Sequence, residues 1–94
     1  MTVTCFHCAG PLDECRRSML REATGKAVRE IGFAELATVS GDDQEARVAV
    51  WDAARAVKDL VDLIIAQDYG TSVEDAHEQA RALIEEMAAT WHQA

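Results

Sequence analysis

The sequence predicts an all-α fold, a small three-helix up-down-up bundle preceded by a short N-terminal arm that carries cysteines. Three observations predict it. Apolar residues recur at helical spacing through three long stretches. Capping residues and glycines fall at the ends of those stretches. The Gly70-Thr71 connection is short enough to turn the last helix back on its predecessor. With 94 residues, 49% of them hydrophobic and 28% charged, residues 1–94 form a single domain with one core and no room for a second.

The elements follow in order. Residues 1–10 form the arm. Helix 1 is expected over 11–31: Pro11 suits the first helical position, and Leu12, Cys15, Met19, Leu20, Ala23, Ala27 and Ile31 form its stripe. Gly32 reads as its stop. Gly25 falls on the polar side with Arg21 and Arg29, at a cost of about 1 kcal/mol relative to alanine.

Helix 2 is expected over 43–69, where Ala46, Val50, Ala53, Ala54, Val57, Leu60, Val61, Ile64 and Ile65 make one stripe. Ser40 and Asp43 have the spacing of a capping pair. Arg55/Asp59 and Lys58/Asp62 are spaced as i, i+4 ion pairs. A competing reading makes 36–50 a β-hairpin, with Leu36–Val39 and Ala46–Val50 flanking Ser40-Gly41-Asp42-Asp43 and Asp52 capping a shorter helix. Helix 3 is expected over 72–92. Ser72 caps it with Asp75 three residues on, and Val73, Ala76, Ala80, Leu83, Ile84, Met87 and Trp91 line one face. Both long stripes are rich in alanine, which predicts a thin core. Such a bundle needs reinforcement, either a metal at the arm or oligomerisation through a further apolar strip at Val48 and Trp51.

All three cysteines, Cys5, Cys8 and Cys15, lie near the N-terminus. Cys5-Phe6-His7-Cys8-Ala9-Gly10 resembles the knuckle of zinc ribbons and related fingers, in which glycine lets backbone amides turn toward thiolate sulfur. The resemblance covers these six residues, and the second Cys-x2-Cys pair of a ribbon is missing. Structural zinc takes four ligands. His7 is a poor fourth beside Cys8, because adjacent residues of an extended segment point apart. In an up-down-up bundle the start of helix 1 lies near the start of helix 3, so the candidate zinc site is Cys5, Cys8, Cys15 and His77. His92 lies fifteen helical positions beyond His77, roughly 22 Å away. The alternatives are three reduced cysteines with Cys15 packed as a small hydrophobe, and a redox-responsive Cys5/Cys8 pair.

Charge is unevenly distributed. Residues 1–41 balance five acids with five bases, whereas residues 42–94 set twelve acids against Arg47, Arg55, Lys58 and Arg81 and carry the whole net charge of −8. Such a surface repels nucleic-acid phosphates and attracts basic partners. The basic residues Arg16, Arg17, Arg21, Lys26 and Arg29 recur along helix 1, but Asp13, Glu14, Glu22 and Glu30 are interleaved with them, which makes direct nucleic-acid binding the weaker alternative.

Several activities fail on the residues themselves. Gly25-Lys26 is similar to the end of a phosphate-binding loop, but Leu20 stands where that motif needs glycine, and Ala27 offers no hydroxyl to magnesium. His77-Glu78-Gln79-Ala80-Arg81 lacks the second histidine of a zinc-protease helix, and no calcium loop occurs. The expected function is non-enzymatic. The chain reads as a small acidic cytoplasmic interaction protein, a regulator or inhibitor of a partner with a basic surface, by analogy with phage-encoded inhibitors. The candidate contact residues are Asp59, Asp62, Glu74, Asp75, Glu78, Glu85 and the aromatic Trp51. A cytoplasmic setting without membrane contact follows from the lack of a signal-peptide pattern and of any apolar run near the roughly 20 residues of a span. The alternative function is a zinc- or redox-responsive regulator built on Cys5, Cys8 and Cys15.

Overall fold

The computed structural model describes residues 12–93. Three helices occupy them, α1 (Leu12–Ser40), α2 (Asp43–Gln67) and α3 (Val73–Gln93), with no strand among the described residues. The fold is therefore an all-α three-helix bundle. The cysteine arm of residues 1–10 lies outside the described residues.

Two local expectations are corrected. The 36–50 segment is not a hairpin, since α1 and α2 occupy all of it except the turn at Gly41 and Asp42. Helix 1 does not stop at Ile31 but passes through Gly32 to Ser40. A glycine ends a helix by adopting a left-handed conformation, and a glycine kept helical costs only about 1 kcal/mol relative to alanine. Gly41 takes the left-handed role here, at φ 91°. Beyond Gly32, the buried Ala34 continues the packed face of α1 and holds the extra turns in place.

The cap of α2 also differs from the expected Ser40/Asp43 pair. Asp42 is the N-cap, in extended conformation, and its carboxylate accepts from the amides of Gln44 at 3.0 Å and Glu45 at 3.4 Å. The Ser40 hydroxyl instead donates back to the Leu36 carbonyl at 2.9 Å. Asp42→Ala is accordingly expected to lower stability by about 1 kcal/mol. Asp42→Asn, which keeps the acceptor, should stay within a few tenths of a kcal/mol of the parent in urea denaturation. The cap of α3 is as expected, with Ser72 Oγ accepting from the Asp75 amide at 3.1 Å.

The topology is up-down-up. The Gln67 side-chain amide donates to the Arg16 carbonyl at 3.1 Å, which sets the end of α2 beside the start of α1. The same antiparallel register brings Ala27 level with Ala56. The main core lies in this half of the bundle, where Leu60, Val61 and Ile64 of α2 meet Ala76 and Ala80 of α3, with Leu20 and Ala23 of α1 closing the side. Among the described residues, six of the nine buried apolar residues are alanine, and Leu60 is the only large apolar side chain of the nine that is fully covered. The thin core expected from the sequence is thus present. Alanine seams let backbones approach closely but remove little apolar area from water.

Gly25 is a further correction, because it is buried rather than on a polar face. α1 touches both other helices, so its covered arc is wider than a single stripe. Thr24 and Gly25 look toward α3, whose Met87 and Trp91 lie over Gly25. Thr24 is 2% exposed. Its hydroxyl donates to the Leu20 carbonyl at 2.6 Å, which satisfies the buried group.

Candidate functional site

An amphipathic helix that buries one face presents its polar residues outward, and in this bundle the outward rows carry the charge. On α3, Glu74, Glu78, Arg81 and Glu85 follow one another at helical spacing and are all exposed. Arg81 is the only base of this helix. Its Nε lies 3.9 Å from Glu85 Oε1, with both side chains more than two-thirds exposed. A pair so long and so wet does little to neutralise the row. Asp75 and Glu86 flank it, also exposed.

On α2, Asp59 and Asp62 are exposed and one turn apart. Asp62 accepts from Lys58 Nζ at 3.1 Å, as the i, i+4 spacing anticipates. Trp51 keeps different company. The Arg55 guanidinium lies 5.5 Å from the centre of its ring, and Trp51 remains 64% exposed. Arg47, Arg55 and Lys58, the three bases of α2, recur with Trp51 at spacings of four, eight and eleven from Arg47. Trp51 therefore belongs to a basic and aromatic row. Of the seven candidate contact residues, Glu74, Glu78 and Glu85 share one row, Asp75 borders it, Asp59 and Asp62 lie on α2, and Trp51 joins the α2 bases. The basic row was not singled out from the sequence, although its helical spacing was readable there.

Of the candidate zinc residues, Cys15 and His77 belong to the described residues, and both lie near helix starts at one end of the bundle. Cys15 is half-buried near the start of α1, and His77 is exposed near the start of α3. Cys5 and Cys8 lie outside the described residues. Among the described residues, no group of three or more His, Cys, Asp and Glu side chains is gathered closely enough to hold a metal ion.

The arginines of α1, Arg16, Arg17, Arg21 and Arg29, and Lys26 are exposed among exposed Asp13, Glu14 and Glu22. Arg17 Nε donates to the Asp13 carbonyl at 3.4 Å. An open crevice of about 430 Å³ separates α1 from α3, floored by Leu20, Thr24, Leu83, Met87 and Trp91, with Arg17, Arg21 and Glu86 at its mouth. Among the described residues, no histidine or cysteine lines it. What this arrangement offers chemically is recognition by charge and by aromatic contact.

No helix among the described residues is long and apolar enough to cross a membrane. Compared with protein-family models, curated proteins and solved structures, the chain matches none of them.

Proposed function

We propose that this chain is a non-enzymatic, cytoplasmic interaction protein, a regulator or inhibitor that docks the outer face of α3 on a macromolecular partner with a basic surface. A groove that otherwise holds nucleic acid is the kind of surface that fits. The observation that carries this reading is the exposed row Glu74, Glu78 and Glu85, bordered by Asp75 and Glu86, with Arg81 as its sole and loosely engaged base. Self-repulsion along such a row works against the fold, and a cationic partner relieves it. Asp59 and Asp62 on α2 add two further exposed carboxylates.

The test starts with co-purification from the native host, followed by affinity measurements on the partner recovered. Reversing Glu74, Asp75 and Glu78 to lysine is expected to weaken binding roughly 10- to 100-fold and to flatten its salt dependence. Lysine in the first turn opposes the helix dipole by about 0.3–1 kcal/mol per site. The neutral set Glu74→Gln, Asp75→Asn, Glu78→Gln therefore accompanies the reversals, with helicity checked by circular dichroism. An unchanged affinity in both sets refutes the proposal.

A further inference from the structure

The crevice of about 430 Å³ between α1 and α3 adjoins a second one, and the two share Arg21, Met87 and Trp91. All the residues that line them belong to these two helices. The apolar floor is only partly covered, since Leu20, Leu83 and Met87 are half-buried and Trp91 is 46% exposed. Small-molecule sites of roughly 300–1,000 Å³ have this make-up, an apolar floor with a few polar groups at its edge.

Gly25 lines the second crevice. A methyl there would lie 3.7 Å from Met87 Sδ and 4.0 Å from Trp91 Cζ2, ordinary contact distances, and the backbone has no positive φ. Neither packing nor conformation asks for glycine, and alanine would favour the helix by about 1 kcal/mol. What the missing methyl leaves is space against the two side chains that floor both crevices. A local rule broken without structural need is the mark of a functional site.

The polar groups say what kind of molecule that space suits. Both hydroxyls of the larger crevice are engaged, Thr24 with the Leu20 carbonyl at 2.6 Å and Thr90 with the Glu86 carbonyl at 3.0 Å. The charged side chains are Arg17, Arg21 and Arg29 against Glu22 and Glu86. Among the described residues no ion pair engages any of the five. Three guanidiniums to two carboxylates leave one positive charge in excess, beside an aromatic ring and a thioether.

We propose that the two crevices form one binding site for an aromatic carboxylate, a flat apolar ring system with a single negative charge. The ring lies on Met87 and Trp91 in the space that Gly25 leaves. The carboxylate meets the planar fork of Arg21, the guanidinium common to both crevices, with Arg17 adding attraction from the mouth. One anion balances the local excess of charge, whereas a dianion meets Glu86 unopposed. The site uses none of Glu74, Glu78 and Glu85, so it stands or falls separately from the acidic row of α3.

The probe is naphthoate, titrated into the isotope-labelled full chain while the two indole N–H resonances are followed. Trp91 is expected to shift with a Kd of about 100 µM, the modest affinity of a small ligand in an open crevice. Trp51, on α2 under Arg55, is expected to stay in place, and a Trp51→Phe variant assigns the two signals. Arg21→Gln is expected to weaken binding at least ~10-fold and Glu86→Gln to tighten it about threefold. Gly25→Ala is expected to weaken it about fivefold while raising the melting temperature, a combination that damage to the fold does not produce. Naphthylmethanol, the same ring without the charge, is expected to bind at least ~10-fold more weakly. No shift of Trp91 at about 2 mM naphthoate, a shift confined to Trp51, or equal binding of the alcohol overturns the proposal. So does an Arg21→Gln or Gly25→Ala variant, folded by circular dichroism, that binds like the parent.

Discussion

Leu60→Ala is expected to destabilise the fold by about 2–5 kcal/mol, lowering the melting temperature by more than 10 °C. Leu60 is 0% exposed, and its covered neighbours are Val61, Ile64, Ala76 and Ala80. The two alanines have no rotamers with which to fill the cavity, so the site collapses poorly and the cost stays near the large-cavity end of the range. A small domain holds only about 5–15 kcal/mol in total. An alanine-lined core belongs at the low end, so the variant should populate the unfolded state visibly at 37 °C. Circular dichroism melting measures this, at one protein concentration throughout. A fall of less than about 4 °C, equivalent to less than 1 kcal/mol, shows that Leu60 is not the keystone of this core.

Alanine at both Gly25 and Gly32 is expected to act in the opposite direction, raising stability by about 2 kcal/mol in total. Both glycines lie inside α1 with ordinary helical backbone, so each forfeits about 1 kcal/mol against alanine. The usual reason for a buried helical glycine is a neighbour that leaves no room. Gly25 has room: a Cβ there would lie 3.7 Å from Met87 Sδ and 4.0 Å from Trp91 Cζ2, ordinary van der Waals distances. At Gly32 nothing lies within 4 Å. The sites are about 10 Å apart along the helix, so their effects should add. Gly25→Leu, by contrast, drives a branched chain into Met87 and Trp91 and should destabilise. Gly41→Ala should cost about 1 kcal/mol, since its φ of 91° is strained for any side chain. Urea denaturation orders the three variants, and a double alanine variant no more stable than the parent defeats the prediction.

The parts of the fold legible in the sequence are those governed by local chemistry. The start of α3 falls within a residue of expectation because Ser72 caps it and Gly70-Thr71 precedes it. α2 begins at Asp43 as read, and the hydrophobic stripe around Leu60 is the buried one. The misreadings share a cause in tertiary contact. Gly32 resembles a stop locally, and only the continued burial of Ala34 keeps α1 running to Ser40. Gly25 lies off the main stripe, and only the third helix covers it. The hairpin alternative rested on Arg-Val-Ala-Val-Trp, whose alternation suits a strand as well as a helix until Asp42 caps it. For the candidate surfaces, spacing along one helix reads the acidic row of α3 correctly. It says nothing of how rows on different helices are oriented, and Trp51 was accordingly grouped with carboxylates while it stacks under Arg55.

The alanine seam also shapes the response to temperature. Apolar area hidden from water sets the heat capacity of unfolding, and a core in which, among the described residues, six of nine covered apolar residues are alanine hides little of it. A small heat capacity increment flattens the curve of free energy against temperature. The same economy of buried surface lowers the denaturant slope and broadens the transition. This bundle should therefore soften gradually over a wide range, with its marginal stability spread evenly from cold to warm rather than gathered into a sharp maximum.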